Sequence, residues 1–249
     1  VRVLCRIDLN VPIKTSGIVL SDFRIKAALP TIELLQNAGA KVILISHIGR
    51  KQEESLRSVA NYMIQNLGVK MEFIPSIFGE EIETKIEEMK NGDIIMLENL
   101  RSDEGEKENH NLFTKELAEH GDIYVNDAFS VSHRNHASIT GLSKELPAFA
   151  GLQLQKEIEH LSLNGKKHPF LFVLGGAKFE TKAPLVKRFL DDADDIYIGG
   201  ALAHDFYKAK GYEIGKSLHY KSVGEEMFQE DKIILPTDVL VENGARTNH

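Results

Sequence analysis

The chain has 249 residues but only one cysteine, Cys5, and no tryptophan. A single cysteine excludes a disulfide within the chain and fits a reducing compartment. Cys5 lies inside an apolar segment, so we interpret it as a packed core side chain rather than a reactive thiol.

Long apolar runs and an excess of positive charge are also missing. No apolar run approaches the roughly 20 residues of a membrane-spanning helix, and the chain does not start with a signal-peptide pattern. The 37 acidic residues outnumber the 30 lysines and arginines, which gives a formal net charge of −7. That balance argues against nonspecific binding to nucleic acid or membranes. We expect a cytoplasmic protein with no nucleic-acid partner and no membrane association.

The apolar segments alternate between strand-like and helix-like patterns over the first 126 residues. The predicted strands are Val1–Asp8, Lys41–Ser46, Met71–Ile74, Asp93–Leu97 and Ile123–Asn126. The predicted helices are Arg24–Asn37, Leu56–Leu67, Gly79–Met89 and Leu112–His120. Alternation of this kind predicts a mostly parallel sheet with helices on both faces.

A second series of the same kind follows a predicted helix at Gly151–Leu163 and a polar break. Its predicted elements are strand Pro169–Leu174, helix Pro184–Leu190, strand Asp195–Ile198, helix Ala201–Lys210, and strand fragments Lys232–Leu235 and Val239–Val241. The fold class is therefore α/β, with two doubly wound, Rossmann-like parallel-sheet domains joined by a helix. We place the domains at residues 1–150 and 169–249 and the connector at 151–168.

Unusual polar residues follow the first, second, fourth and fifth predicted strands, where ligands of open parallel sheets bind. They are Asp8, Asn10, His47, Arg50, Arg101, His133 and Arg134, and Arg24 opens the first helix on the same side. Each alone has an ordinary interpretation as a solvated charge or a satisfied core histidine. Several arginines at one edge of an acidic protein instead indicate bidentate recognition of phosphate or carboxylate. The first domain thus resembles a site for a small, doubly anionic molecule.

Other chemistries have less support. Arginines at this edge would repel a metal cation, and His133 and His136 have no acidic ligands arranged nearby. The chain shows neither a Ser-His-Asp order nor a serine in a glycine elbow, so hydrolysis is not indicated. No Gly-x-Gly-x-x-Gly follows the first strand, which argues against a dinucleotide enzyme.

The second domain begins with a strand, a Gly175-Gly176 turn, and lysines at 178 and 182. Such a turn before a helix can bind nucleotide phosphates, because free N–H groups and the helix dipole face it. The alternative is a plain turn with two solvated lysines, which the local pattern alone favours. A second turn, Gly199-Gly200, ends the next strand and makes room for a nucleotide. Combined with the arginine-rich edge, these turns suggest phosphoryl transfer with domain closure.

Six motifs carry a family resemblance. They are Arg6–Pro12, Asp22–Ile25, Ser46–Arg50, Leu97–Arg101, Asn126–Phe129 followed by His133-Arg134, and Leu174–Lys178. In this order and spacing they resemble phosphoglycerate kinases over nearly the whole chain. The resemblance implies two α/β domains joined by a hinge helix and a monomer. It also implies reversible phosphoryl transfer between ATP and the carboxylate of 3-phosphoglycerate, with Mg²⁺, giving 1,3-bisphosphoglycerate and ADP.

The resemblance also assigns residues by motif. It implies that 3-phosphoglycerate is bound by Asp8, Asn10, Arg24, His47, Arg50, Arg101, His133 and Arg134. It implies a nucleotide site at Gly175, Gly176, Ala177, Lys178, Lys182, Gly199 and Gly200. Arg24 and Lys178 are the candidates for stabilising the transferring phosphoryl group from opposite domains.

The chain departs from the family pattern at several points. Lys51 stands where proline is usual, and Ala201 replaces a third glycine. The family's later Gly-Gly-Gly-Asp segment, with the aspartate that holds the Mg²⁺ of the nucleotide, is absent. We therefore expect a fragment cut at both ends, with the second domain incomplete, no metal ligand in this chain and little activity alone. The alternative is a truncated, non-catalytic protein that binds phosphorylated metabolites.

Overall fold

The computed structural model describes residues 1–162, 165–220, 230–240 and 246–248. The chain divides into two compact units, residues 1–162 and 163–249. The helix that we assigned to the connector packs on the first helix within the first unit. The functional boundaries at 150 and 168 stay a prediction. Among the residues just given, no helix is both long and apolar enough to cross a membrane.

The first unit is built on one parallel sheet of six strands. They are β1 (Arg2–Arg6), β2 (Lys41–Ile45), β3 (Glu72–Phe73), β4 (Ile94–Met96), β5 (Ile123–Asn126) and β6 (Ala148–Ala150). Their order is β3-β4-β2-β1-β5-β6, and all neighbours pair in parallel. The parallel α/β sheet is confirmed. The edge strand β6 was not predicted, because it has only three residues, all exposed, and they show no alternation of apolar and polar side chains.

Seven α-helices accompany this sheet in the described residues. They are α1 (Phe23–Asn37), α2 (Arg57–Leu67), α3 (Glu80–Glu88), α4 (Glu104–Glu108), α5 (Asn111–Glu119), α6 (Leu142–Glu145) and α7 (Leu152–Leu161). Short 3₁₀ turns lie at Leu100–Ser102 and Phe129–Val131, and a π-helical turn lies at Ala137–Gly141. The predicted helix Gly151–Leu163 is thus α7. Its last predicted residue, Leu163, lies outside the described part.

The alternation of side chains along β1 explains why both faces of the sheet are covered. Val3 and Cys5 point into a core that α1 and α2 complete. Leu4 points into a second core, on the other face, that α3 and α5 complete. A strand buried on both faces reads as a continuous apolar run, which is the pattern seen in the sequence. Burial raises the pKa of the Cys5 thiol, which agrees with a core role.

In its described residues, the second unit contains a three-stranded parallel sheet. Its strands are β7 (Leu171–Leu174), β8 (Asp195–Ile198) and β9 (Ile233–Ile234), in that order. Helices α8 (Phe179–Asp192) and α9 (Ala201–Ala209) contribute to a single core cluster with β8. Strands β10 (Asp238–Leu240) and β11 (Arg246–Asn248) form a separate antiparallel pair. Val241, which we included in the last predicted strand, lies outside the described residues.

One helix start was predicted wrongly. We gave the helix of the second unit the bounds Pro184–Leu190, although we interpreted the lysines at 178 and 182 as lying on the first turn of a helix. In the structure α8 begins at Phe179, five residues earlier, and Pro184 lies inside it. Phe179 is buried against Phe206 with their rings edge to face, 5.3 Å apart. That tertiary contact, which local propensity does not reveal, extends the helix toward the glycine turn.

Candidate functional site

Strand order brings the predicted anion-binding residues to one edge of the first sheet. Strands β4, β2, β1 and β5 are neighbours and run in parallel, so their carboxyl ends meet at one edge. The loops that follow them carry Arg101, His47, Asp8 and Arg134 respectively. We call the polar residues of these four loops, with Arg24, the basic edge.

Asp8 connects three elements of the basic edge. Its Oδ2 accepts hydrogen bonds from Arg24 Nη1 at 2.8 Å and from the Ser130 hydroxyl at 2.5 Å. Its Oδ1 accepts from the Asn10 backbone N–H at 3.1 Å. The Arg24 side chain is 46% exposed, so this ion pair lies toward solvent and costs little to separate. Arg24 is therefore available to an anion.

The side chains of Asn10 and Arg101 hold the loop after β2 through hydrogen bonds to the Gly49 backbone. The Asn10 side-chain oxygen accepts from the Gly49 N–H at 2.9 Å, and Arg101 donates to the Gly49 carbonyl at 2.6 Å. Gly49 has φ of +63°, and a Cβ there would lie 1.9 Å from Glu54 Oε2. Glu54 in turn accepts the backbone N–H of Arg50 at 2.6 Å. Glycine is required at 49 because the chain turns left-handed against a carboxylate.

His47 is buried, with 1% exposure, beside a buried arginine. Arg6 Nη2 lies 2.8 Å from His47 Nδ1. Burial lowers the pKa of His47 to about 2, and the positive charges of Arg6 and Arg101 add to the effect. His47 is therefore a neutral imidazole at physiological pH.

A buried carboxylate lies behind Arg6. Arg6 Nε donates to the Ser138 hydroxyl at 3.0 Å, and that hydroxyl donates to Glu106 Oε1 at 2.6 Å. Glu106 Oε2 accepts the Ser138 backbone N–H at 2.9 Å. Glu106 is fully buried, and its Oε1 lies 3.6 Å from His136 Nδ1. Sequence reasoning missed Glu106 and Ser138, and it named Arg6 only as part of a motif.

The remaining basic residues of the basic edge differ in burial. Arg101 is 8% exposed, and burial lowers its pKa, with the charges of Arg134 and Arg6 adding to that shift. Arg50, His133 and Arg134 are exposed. The positive charge of Arg134 contributes to the lowered pKa of both His47 and Arg101, so the loops after β2, β4 and β5 lie close to one another. Their shared positive field favours an anion.

A cavity of about 340 Å³ lies beside this edge. Asp8, Arg24, Asp127 and Ser130 line it together with residues of α1 and α7. Asp127 Oδ1 accepts the backbone N–H groups of Gln153 and Leu154 at 2.8 and 3.0 Å, so it caps α7. The loop after β5 therefore contacts both Asp8 and the start of α7.

The two predicted glycine turns of the second unit lie side by side. Strands β7 and β8 pair in parallel, with Leu174 opposite Ile198, so Gly175-Gly176 and Gly199-Gly200 leave the same edge. A Cβ on Gly200 would lie 3.4 Å from the Gly176 carbonyl oxygen. Gly176 and Gly200 have φ of +134° and +63°. A side chain at 200 would therefore strain the left-handed backbone, with its Cβ in contact with the neighbouring turn.

Two helices start from these turns. The backbone N–H of Leu202, in α9, donates to the Gly176 carbonyl at 3.0 Å. Lys178 is the residue that precedes α8, has no side-chain cap bond and is exposed. Lys182, one turn further along, approaches Gly176, with Cε 3.9 Å from the position of a Cβ there. Ala177 links the turn to Lys178 and is half-buried. Lysines and helix starts thus surround the glycine turns, where N–H groups and the helix dipole favour an anion.

No group of three or more His, Cys, Asp or Glu side chains suited to a metal ion occurs in the described parts of the chain. The arginines and lysines at the two predicted sites repel a metal cation and attract an anion.

Comparison with known proteins identifies the family. The family model described as phosphoglycerate kinase matches residues 1–249. The chain belongs to the phosphoglycerate kinase family. Among curated relatives, the phosphoglycerate kinase of Coprothermobacter proteolyticus is 46% identical over 87% of this chain, and that of Borrelia turicatae is 42% identical over 98%. The chain spans 57% and 66% of the length of these two relatives.

Solved structures support the same assignment. The structure of phosphoglycerate kinase from Coxiella burnetii aligns with a TM-score of 0.78 at 34% identity, covering 99% of this chain and 68% of that one. The phosphoglycerate kinase from Pyrococcus horikoshii aligns with a TM-score of 0.83 at 32% identity, covering 98% and 67%. The α/β fold of parallel sheets is thus shared with the family.

Proposed function

We propose that this chain contributes to phosphoryl transfer between ATP and the carboxylate of 3-phosphoglycerate, giving 1,3-bisphosphoglycerate and ADP. The observation that carries the proposal is the basic edge. The loops after β2, β4 and β5 and the start of α1 supply its arginines, in a chain whose net charge is −7. Membership of the phosphoglycerate kinase family supports the substrate assignment.

In this proposal the basic edge binds 3-phosphoglycerate. Its phosphate and carboxylate are the two anions for which arginine forks are suited. The binding residues are Asp8, Asn10, Arg24, His47, Arg50, Arg101, His133 and Arg134. Asp8 and Asn10 carry the acceptors that suit the substrate hydroxyl group.

The residue types fit the chemistry. The attacking carboxylate has an ordinary pKa of about 3.5 and is ionised at neutral pH, so no general base is required. The protein must instead neutralise two polyanions and align them. Arg24 can leave its exposed pairing with Asp8 to meet a phosphoryl group. We propose Arg24 and Lys178 as the residues that stabilise the transferring group.

The nucleotide belongs to the second unit in this proposal. Gly175, Gly176, Gly199 and Gly200 give room for the phosphates, and Ala177, Lys178 and Lys182 continue the same turn. In this proposal Mg²⁺ arrives with ATP or ADP as part of the substrate. A hinge at 151–168, a monomeric state and a cytoplasmic location belong to the same proposal.

Titration calorimetry with 3-phosphoglycerate tests the first half of the proposal. We expect saturable binding that Arg134→Ala weakens by about tenfold or more, since charge-assisted hydrogen bonds contribute about 1.5–3 kcal/mol. Arg2→Ala is the matched control, because Arg2 lies at the opposite end of β1 and pairs with Asp122 at 2.6 Å. Equal losses in both variants would show that the basic edge is not the site.

A titration with ADP and Mg²⁺ tests the second half. Binding that Lys182→Met weakens, with Lys187→Met on the same helix as control, supports the nucleotide assignment. Affinity for 3-phosphoglycerate with no nucleotide affinity would favour the alternative, a non-catalytic binding protein. A coupled assay that detects steady turnover would exclude that alternative.

A further inference from the structure

The contact between Arg6 and His47 determines what the histidine can do. Arg6 ends the central strand β1 and is 1% exposed. Its guanidinium carries only donors and stays protonated in proteins. The His47 nitrogen that faces it at 2.8 Å, Nδ1, must therefore present a lone pair. In a neutral imidazole the single proton then resides on Nε2.

The orientation of Arg6 is itself fixed on every side. Nη1 donates to the Ile7 carbonyl at 2.6 Å and lies 3.3 Å from the Ser46 hydroxyl. Nε donates to the Ser138 hydroxyl. Since these partners leave the planar guanidinium one orientation, Nη2 is aimed at His47.

Glu106 supplies the charge that lets an arginine stay buried. A buried cation is costly unless it is paired or fully hydrogen-bonded. The Ser138 hydroxyl accepts a hydrogen bond from Arg6 and donates one to Glu106, so it bridges the guanidinium and the carboxylate, which are not in direct contact. The buried Tyr124 also holds Ser138 in place, because the Tyr124 hydroxyl donates to the Ser138 carbonyl at 2.6 Å. The π-helical turn that contains Ser138 holds this arrangement.

We infer that Arg6, oriented through Ser138 and Glu106, is a positioning residue that fixes His47 as the neutral Nε2–H tautomer. His47 then serves the basic edge as a hydrogen-bond donor that adds no charge. A protonated His47 would add another cation beside Arg6, Arg101 and Arg134, and the opposite tautomer would turn an acceptor toward a bound anion. The consequence for 3-phosphoglycerate rests on the proposed function, whereas the tautomer does not.

Nitrogen NMR of the chain labelled with ¹⁵N-histidine tests the tautomer directly. We expect the His47 ring in the wild-type chain without substrate to show a protonated Nε2 and an unprotonated Nδ1 between pH 5 and 8. A proton on Nδ1 would overturn the inference. In folded Arg6→Met we expect a mixture of tautomers, whereas Arg2→Met on the same strand should leave the wild-type spectrum. An unchanged His47 spectrum in folded Arg6→Met would also overturn it.

Calorimetry then connects the tautomer to the anion. We expect Arg6→Met to weaken 3-phosphoglycerate binding by about ten- to a hundredfold, the range of a lost charge-assisted hydrogen bond. Wild-type chain that binds no 3-phosphoglycerate would contradict the proposed function but leave the NMR result standing. The two failures are therefore distinguishable.

A pair of variants at His47 avoids removing the buried arginine, in case Arg6→Met does not fold. His47→Gln keeps an N–H donor at about the reach of Nε2, while His47→Asn reaches only the position of Nδ1. We expect His47→Gln to bind 3-phosphoglycerate within a few-fold of wild type and His47→Asn to lose about tenfold or more. Equal loss in both variants would contradict a donor role for Nε2.

Discussion

Replacing Asp127 should destabilise the first unit far more than replacing the aspartate at the other end of the same strand. Asp127 follows β5 and is 3% exposed, and its Oδ1 caps the second and third amides of α7. The residue at the usual cap position, Gly151, makes no side-chain cap bond. A Cβ on Gly151 would lie 2.3 Å from Asp127 Oδ1, so glycine permits the close approach. The cap therefore comes from a residue distant in sequence.

The expected cost follows from the two amides. Loss of a capping side chain costs about 1 kcal/mol and up to about 2, and because two amides lose their acceptor here the cost should lie at or above the upper end of that range. Burial raises the pKa of Asp127, while the bonds from Leu154 and Gln153 oppose that rise, so removing the carboxyl also recovers some desolvation. We expect Asp127→Ala to lower the free energy of unfolding by about 2–3 kcal/mol. For a unit of this size that corresponds to about 4–12 °C in Tm.

Urea and thermal unfolding followed by circular dichroism measure this change. Asp122→Ala is the matched control, because Asp122 precedes β5, is 44% exposed and forms a surface ion pair with Arg2. We expect the control to cost less than about 1 kcal/mol. Asp127→Asn keeps an oxygen acceptor and should cost about 1 kcal/mol through the lost charge at the helix start.

Hydrogen exchange gives a local readout of the same cap. The amide protons of Gln153 and Leu154 should exchange faster in Asp127→Ala, while those of β1 change less. A cost for Asp127→Ala no larger than that for Asp122→Ala, with unchanged exchange at α7, would refute the capping role.

The pKa of His47 is lowered in the folded chain, so the unfolded chain binds a proton at this residue first as the pH falls. The free energy of unfolding should therefore decrease by up to about 1.4 kcal/mol per pH unit below about pH 6.5. Urea midpoints measured from pH 7 to 5 test this, and His47→Gln should reduce the pH dependence while His160→Gln, at an exposed site, should leave it unchanged. Gly49→Ala should destabilise the chain more than Gly68→Ala, because both have positive φ but only the Cβ at 49 meets a side chain; equal unfolding midpoints would contradict the crowding. Gly200→Ala should weaken ADP binding, as measured by calorimetry, more than Gly211→Ala, because both glycines have positive φ but only Gly200 belongs to the proposed nucleotide turn; equal ADP affinities would contradict that assignment.

Much of the fold was predictable because its determinants are local or periodic. Apolar runs such as Lys41–Ile45 and glycine stops such as Gly68 specify strands and helix ends by themselves. The polar residues of the basic edge were predictable because parallel strands bring their carboxyl ends together whatever the loops contain. The start of α8 was not, since it depends on Phe179 packing against Phe206.

The residues beneath the basic edge were harder to predict from the sequence. Segment 103–109 is highly charged and resembles a solvated loop, yet Glu106 in it is fully buried. Its burial depends on Ser138, 32 residues away, and on a π-helical turn with no composition signal. Arg6 did leave a signal, because an arginine within an otherwise apolar strand needs buried partners. Those partners are distant in sequence, so the sequence indicates that buried partners exist but not which residues they are.

The basic edge combines a rigid floor with adjustable arginines, and the two parts suit different tasks. Arg6, His47 and Arg101 are buried and hydrogen-bonded to backbone or to one another. Such donors lose little side-chain entropy when an anion arrives, so they suit tight and oriented binding. Arg24 and Arg134 are exposed, and they can move with a group that changes position during transfer. Substitutions that remove a hydrogen-bond donor from the floor should therefore lower both stability and affinity, whereas substitutions in the exposed arginines should spare stability and weaken only binding or turnover.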